Sequence, residues 1–137
     1  MRFFGPSILV AAMLASSSGW AADCPMDLGR GTGWVVFSEH HMIAFRSDPM
    51  QVEVGEPVSL LMNVCTKSGE AAELVSVGVQ FVGDVKVPSQ HLSLSGGAQG
   101  RYRAEGLSFS EPGAWEIDFN VRSSGESEEL THELIVK

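Results

Sequence analysis

The sequence predicts an all-β fold, an immunoglobulin-like two-sheet β-sandwich of about seven strands. Three observations lead there. Apolar and polar residues alternate with a period of two in segment after segment. Pro- and Gly-bearing turns separate those segments. No segment sustains a helical period.

The chain opens on a targeting segment. Arg2 supplies a positive start, and residues 8–15 supply an apolar run too short to span a bilayer. Gly19, Trp20 and Ala21 precede the expected cut, so residues 1–21 read as a signal peptide and residues 22–137 as one β-sandwich domain. Asp23 before Cys24 argues against a lipid-attachment signal. The expected destination is the periplasm or its equivalent, with no membrane span after cleavage. The formal net charge is −8, and loss of Arg2 makes the mature chain one unit more negative. Such acidity repels phosphate backbones and argues against nucleic acid as a ligand.

The strands follow in order. Residues 25–33 have the composition of a loop. Residues 34–37 and 42–45 are apolar runs flanking Ser38, Glu39, His40 and His41, and are either one bent strand or a tight hairpin. Residues 46–49 read as a turn. Met50, Val52 and Val54 alternate with Gln51 and Glu53. After Gly55-Glu56-Pro57, residues 58–66 form a long strand with Val58, Leu60, Met62 and Val64 on its apolar face. After a loop at residues 67–70, Val75, Val77, Val79 and Phe81 alternate with Leu74, Ser76, Gly78 and Gln80. Tyr102 and Ala104 alternate with Arg101, Arg103 and Glu105. Gly106 interrupts, then Leu107 and Phe109 resume. Glu111-Pro112-Gly113 is a turn. Trp115, Ile117, Phe119 and Val121 then give the clearest amphipathic strand in the chain. Residues 123–126 are a polar loop. Leu130, His132, Leu134 and Val136 share one face of a last strand expected to pair with the strand of Trp115. His132 on that face reads as a core-edge histidine satisfied by a backbone group.

Two cysteines remain after cleavage, Cys24 and Cys65. In an oxidising compartment a disulfide is expected between them. It closes a loop of about 41 residues, which the chain-entropy model values at roughly 4 kcal/mol. The alternative is a thiolate pair for copper or redox work, although the spacing is not that of a C-x-x-C motif.

Gly100, Tyr102, Gly106, Phe109, Pro112, Gly113 and Trp115 together resemble the YtkA-like and FixH-like group of small exported β-sandwich domains. The resemblance covers roughly the last half of the mature chain, extending weakly upstream to Pro88. It implies a link to copper handling or respiratory-complex assembly. Copper-linked members of the group carry a Met-Pro-x-His-Gly-His type segment and a His-Met-Pro-Gly turn. This chain departs from both. Val87 and Gln90 flank Pro88 and Ser89, His91 is displaced by one, and Ser110-Glu111 precedes Pro112-Gly113. The turn and core residues are kept while the ligands are not.

Any copper site must then use other residues. The expected set is His40, His41 and Met42, with His91 from a neighbouring loop. Adjacent histidines on an extended strand face opposite sides, so the set requires a turn between them; otherwise His40 and His41 are solvated loop residues. Met26 and Met50 are expected to be exposed, and Met62 to be packing. No G-x-S-x-G elbow, H-E-x-x-H, Walker loop or dinucleotide fingerprint occurs. The expected function is a non-enzymatic binding or accessory protein with a protein partner that the sequence does not name. The alternative is a structural or interaction module without a small ligand.

Overall fold

A computed structural model describes residue 24 and residues 33–137. The expected signal peptide at residues 1–21, Met26 and all but the last residue of the expected loop at residues 25–33 lie outside the described residues. Nine strands are present among those described: β1 (Trp34–Phe37), β2 (His41–Asp48), β3 (Pro57–Thr66), β4 (Glu73–Phe81), β5 (Gln90–His91), β6 (Ser93–Gly96), β7 (Arg101–Ser108), β8 (Gly113–Ser123) and β9 (Glu126–Val136). They make a five-stranded sheet, β1-β2-β3-β7-β6, packed on a four-stranded sheet, β5-β4-β8-β9. Every strand pair is antiparallel. The protein is therefore an all-β two-sheet sandwich.

The core lies where the two apolar faces meet. Ile43, Phe45, Val58, Leu60, Met62, Val64, Ala104 and Leu107 come from the first sheet, and Leu74, Val77, Val79, Trp115, Ile117, Phe119, Val121, Leu130 and Val136 from the second. The centre is aromatic. Phe109 meets Trp115 edge-on at 5.1 Å, Phe81 flanks Trp115 at 5.1 Å, and Phe45 packs on Phe119 at 5.0 Å. Tilted and edge-on contacts suit the ring quadrupoles. The Trp115 indole N–H donates to the Glu111 carbonyl at 2.9 Å, so its polar atom is buried with a partner.

Cys24 and Cys65 form a disulfide with Cα atoms 5.9 Å apart. It fastens the chain before β1 to the end of β3, in the middle of the first sheet. Gly100 closes the same corner. Its φ is +80°, and a Cβ there would lie 2.5 Å from the Val64 carbonyl oxygen and 3.0 Å from Cys24 Sγ. The backbone approach and the left-handed φ both require glycine.

Several expectations are refined. Residues 34–37 and 42–45 form a tight hairpin, with Phe37 opposite Met42. Residues 50–54 are not a strand despite their alternation. No neighbouring strand pairs with them, and alternation without a partner does not make a ladder. The two short strands β5 and β6 bring the count from seven to nine; two to four residues are too few to show a period. In β4 the register shifts between Leu74 and Ser76. That bulge turns Leu74 inward and leaves Val75 46% exposed, against the regular alternation expected. One extra residue flips every side chain before it. The interruption at Gly106 is likewise real: its φ is +97°, and the β3–β7 register shifts opposite it, between Val58 and Leu60.

Trp115→Ala removes the side chain with the largest buried volume in the core. The expected loss is about 3–5 kcal/mol, read as a large fall in thermal midpoint; a near-wild-type midpoint would contradict this packing.

Candidate functional site

The β1–β2 hairpin and the β8–β9 hairpin meet at one end of the sandwich. Ser38, Glu39 and His40 make the first turn, with the Ser38 N–H donating to the His41 carbonyl at 2.9 Å. Ser124 and Gly125, at φ 44° and 84°, make the second. A Ser-Gly pair at positive φ is the two-residue turn that matches strand twist.

Glu128 on β9 links the two hairpins. Its carboxylate accepts the His41 Nδ1–H at 2.6 Å, the His40 backbone N–H at 3.1 Å to each oxygen, and the Ser38 hydroxyl. Only 14% of the side chain is exposed. Burial alone would raise its pKa, but the bonds from Ser38, His41 and the His40 amide outweigh it and hold the carboxyl at about 2. On the other side of the ring, His41 Nε2 lies 2.7 Å from Ser123 Oγ at the end of β8. His41 is 0% exposed.

His40 points the other way, into solvent. Its Nε2 lies 3.7 Å from Glu39 Oε1 and 3.6 Å from Glu126 Oε1. Ligand atoms of Glu39, His40 and Glu128 all lie within 4.8 Å of one another. A shallow recess of about 340 Å³ opens beside them, lined among others by His40, Thr66, Lys67, Ser123 and Glu126.

The turn between β1 and β2 does not let His40 and His41 share an ion. His40 faces out, while both ring nitrogens of His41 are bonded inside. Met42, next along β2, stands opposite Cys65 on the face away from the core. His91 is on β5 at the far edge of the other sheet, with β4 and β8 between it and β9. The four expected ligands are thus not assembled. Carboxylates on an alternating strand carry no distinguishing signal in sequence, so nothing there singles out Glu126 and Glu128; only the β8–β9 hairpin brings them to His40. Met50 is exposed and Met62 is buried in the core. His132 is at the core edge as expected, but its neighbours are rings: Phe45 edge-on at 5.1 Å and Trp34 at 5.4 Å. Burial lowers its pKa.

A second charged region lies on the outer face of the four-stranded sheet. Asp118 sits across from Thr131, whose hydroxyl donates to it at 3.1 Å. Burial, a hydrogen bond with Glu116 and the charges of Glu116 and Glu129 push its carboxyl up to about 6. Across the sheet, Gly78 pairs with both Asp118 and His91.

The fold and this end define the class: a disulfide-braced all-β sandwich with a histidine-and-carboxylate cluster where two hairpins meet. Comparison with family models, curated proteins and solved structures found no match. Among the described residues, no helix is long and apolar enough to cross a membrane.

The two shifted carboxylates predict opposite pH dependences. Glu128 has a folded pKa below its ordinary 4.5, so its contribution is full above that value and is lost as pH falls toward 2. Glu128→Gln should lower the thermal midpoint at pH 7, with the gap from wild type closing on acidification. Asp118 has a folded pKa above its ordinary 3.8, so its contribution is full below that value and is lost as pH rises through about 6. Asp118→Asn should raise the midpoint at pH 8 and leave it unchanged near pH 3.5. Melts of the three proteins across this range check both signs.

Proposed function

We propose that this protein is an exported binding or accessory domain, akin to the YtkA-like and FixH-like group, that acts in the periplasm by taking a divalent cation at His40. The observation that carries the reading is the placement of Glu39, Glu126 and Glu128 around the exposed His40 ring. One imidazole with carboxylate oxygens is a borderline-to-hard donor set. It suits Cu(II) or Zn(II), whereas Cu(I) prefers thioether and thiolate. Cys24 and Cys65 are tied up in the disulfide, and Met42 does not join the cluster. The cation chemistry supported is thus the oxidised-metal side of copper handling rather than Cu(I) transfer. The disulfide itself fits maturation in an oxidising compartment.

A second reading is an interaction module that recruits a partner by strand addition. It is favoured by the edge strand β1, whose outer-face residues Val35 and Phe37 are 51% and 60% exposed. An apolar edge of this kind is a template for another strand.

Calorimetric titration of the oxidised mature protein with Cu(II), Zn(II) and Cu(I) tests the first reading. The expected result is dication binding abolished by His40→Ala and weakened by Glu126→Gln, with no Cu(I) binding. Absence of dication binding, or binding indifferent to both changes, would leave the strand-addition reading.

A further inference from the structure

We propose that Ser123, His41 and Glu128 form a nucleophile–base–carboxylate site, and that Ser123 is acylated by short carboxylic esters. The inference goes beyond the cation reading and does not depend on it.

The proton inventory fixes the direction of each bond. Ionised Glu128 can only accept, and it already takes the Ser38 hydroxyl and the His40 amide. The hydrogen on the 2.6 Å contact therefore belongs to His41 Nδ1. In the neutral ring Nε2 is then left with a lone pair. Ser123 Oγ, 2.7 Å away, must donate to it. A serine hydroxyl donating to an imidazole whose other nitrogen is held by a carboxylate is the relation that activates a nucleophile. His41 is fully buried, so bulk water does not compete for Nε2 while the Ser123 hydroxyl occupies it. Ser123 itself is half-buried and is among the residues that line a recess open to solvent.

The recess, at about 340 Å³, is at the small end of ligand pockets. Thr66, Lys67 and Ser68 give it polar walls. Ser124 and Gly125 follow the nucleophile at positive φ, and among the described residues their amides donate no hydrogen bond. Ser124 is among the residues lining the recess, and an N–H with no partner on this turn is a donor that a developing oxyanion could draw on. In the step, Ser123 Oγ bonds to the ester carbonyl carbon while its proton passes to His41 Nε2. The tetrahedral adduct expels the alcohol oxygen, which takes that proton. Water then attacks the acyl-serine with Nε2 as base, releasing the acid and restoring Ser123. No redox partner is needed. Glu128 is a positioning residue, since it acts through His41.

The test is a fluorophosphonate probe on the folded, disulfide-intact mature protein, with adducts mapped by mass spectrometry. Ser124 is an internal control: an exposed neighbour on the same turn with no histidine bond. Ser123 should be labelled at least about 100-fold faster than Ser124, the usual scale of general-base assistance. p-Nitrophenyl acetate turnover should be lost in Ser123→Ala while the variant still unfolds cooperatively, its thermal midpoint lowered only by the loss of the one bond to His41 Nε2. Glu128→Gln should slow Ser123 labelling and abolish the downfield His41 Nδ1–H proton resonance. Equal labelling of the two serines, no adduct at Ser123, or turnover retained in Ser123→Ala would overturn the proposal and leave the three residues as a structural tie between hairpins.

Discussion

A carboxylate taken out of water has to be repaid in hydrogen bonds. Glu128 sits largely buried between two hairpins, and its oxygens collect an imidazole N–H, a backbone N–H and a hydroxyl. Everything at this end of the molecule follows from that requirement. Ser38 and His40 come from the turn of the first sheet, Ser123 and Glu128 from the hairpin of the second. The carboxylate therefore fixes the two sheets at a point where the apolar core has run out. It also fixes the ring of His41, and through the ring the hydroxyl of Ser123. The same backbone bond that satisfies Glu128 orients His40 outward.

The rest of the sandwich is held by means that leave this end free to be polar. The aromatic cluster of Phe45, Phe81, Phe109, Trp115 and Phe119 fills the centre. The disulfide ties the chain ahead of β1 to β3. Two register shifts, at Leu74 in β4 and opposite Gly106 between β3 and β7, let strands of unequal pattern share one core. With packing secured elsewhere, a turn between strands can carry exposed carboxylates and an exposed imidazole beside them without loss of the fold.

Two side-chain clusters meet at the recess, and their exposed and buried parts use different atoms. His40 Nε2 and the carboxylates of Glu39 and Glu126 face solvent and present a donor set for a cation. His41 and Ser123 face each other across a buried bond. Glu128 belongs to both arrangements: its Oε1 accepts from His41 and Ser38, and a carboxylate oxygen lies within 4.8 Å of the ligand atoms of Glu39 and His40. The adjacent histidines thus divide between the outside and the inside of the protein: His41 opens β2 on the inward face shared with Ile43 and Phe45, while His40 belongs to the preceding turn.

The sequence alone determined the fold class, the inward faces of β3, β8 and β9, the Pro112-Gly113 turn and the partnership of Cys24 with Cys65. These are legible because a period of two, a turn residue or a pair of cysteines is local information. It also placed His40 and His41 in doubt between strand and turn, since nothing local distinguishes them. Only the tertiary structure decided which way each ring points and which carboxylates they meet. Glu126 and Glu128 look like any solvated acid on an alternating strand, and Ser123 looks like loop. Their meaning comes from the pairing of β8 with β9 and from the approach of that hairpin to β1–β2. Such contacts join residues more than eighty positions apart, and no local pattern encodes a contact made across two sheets.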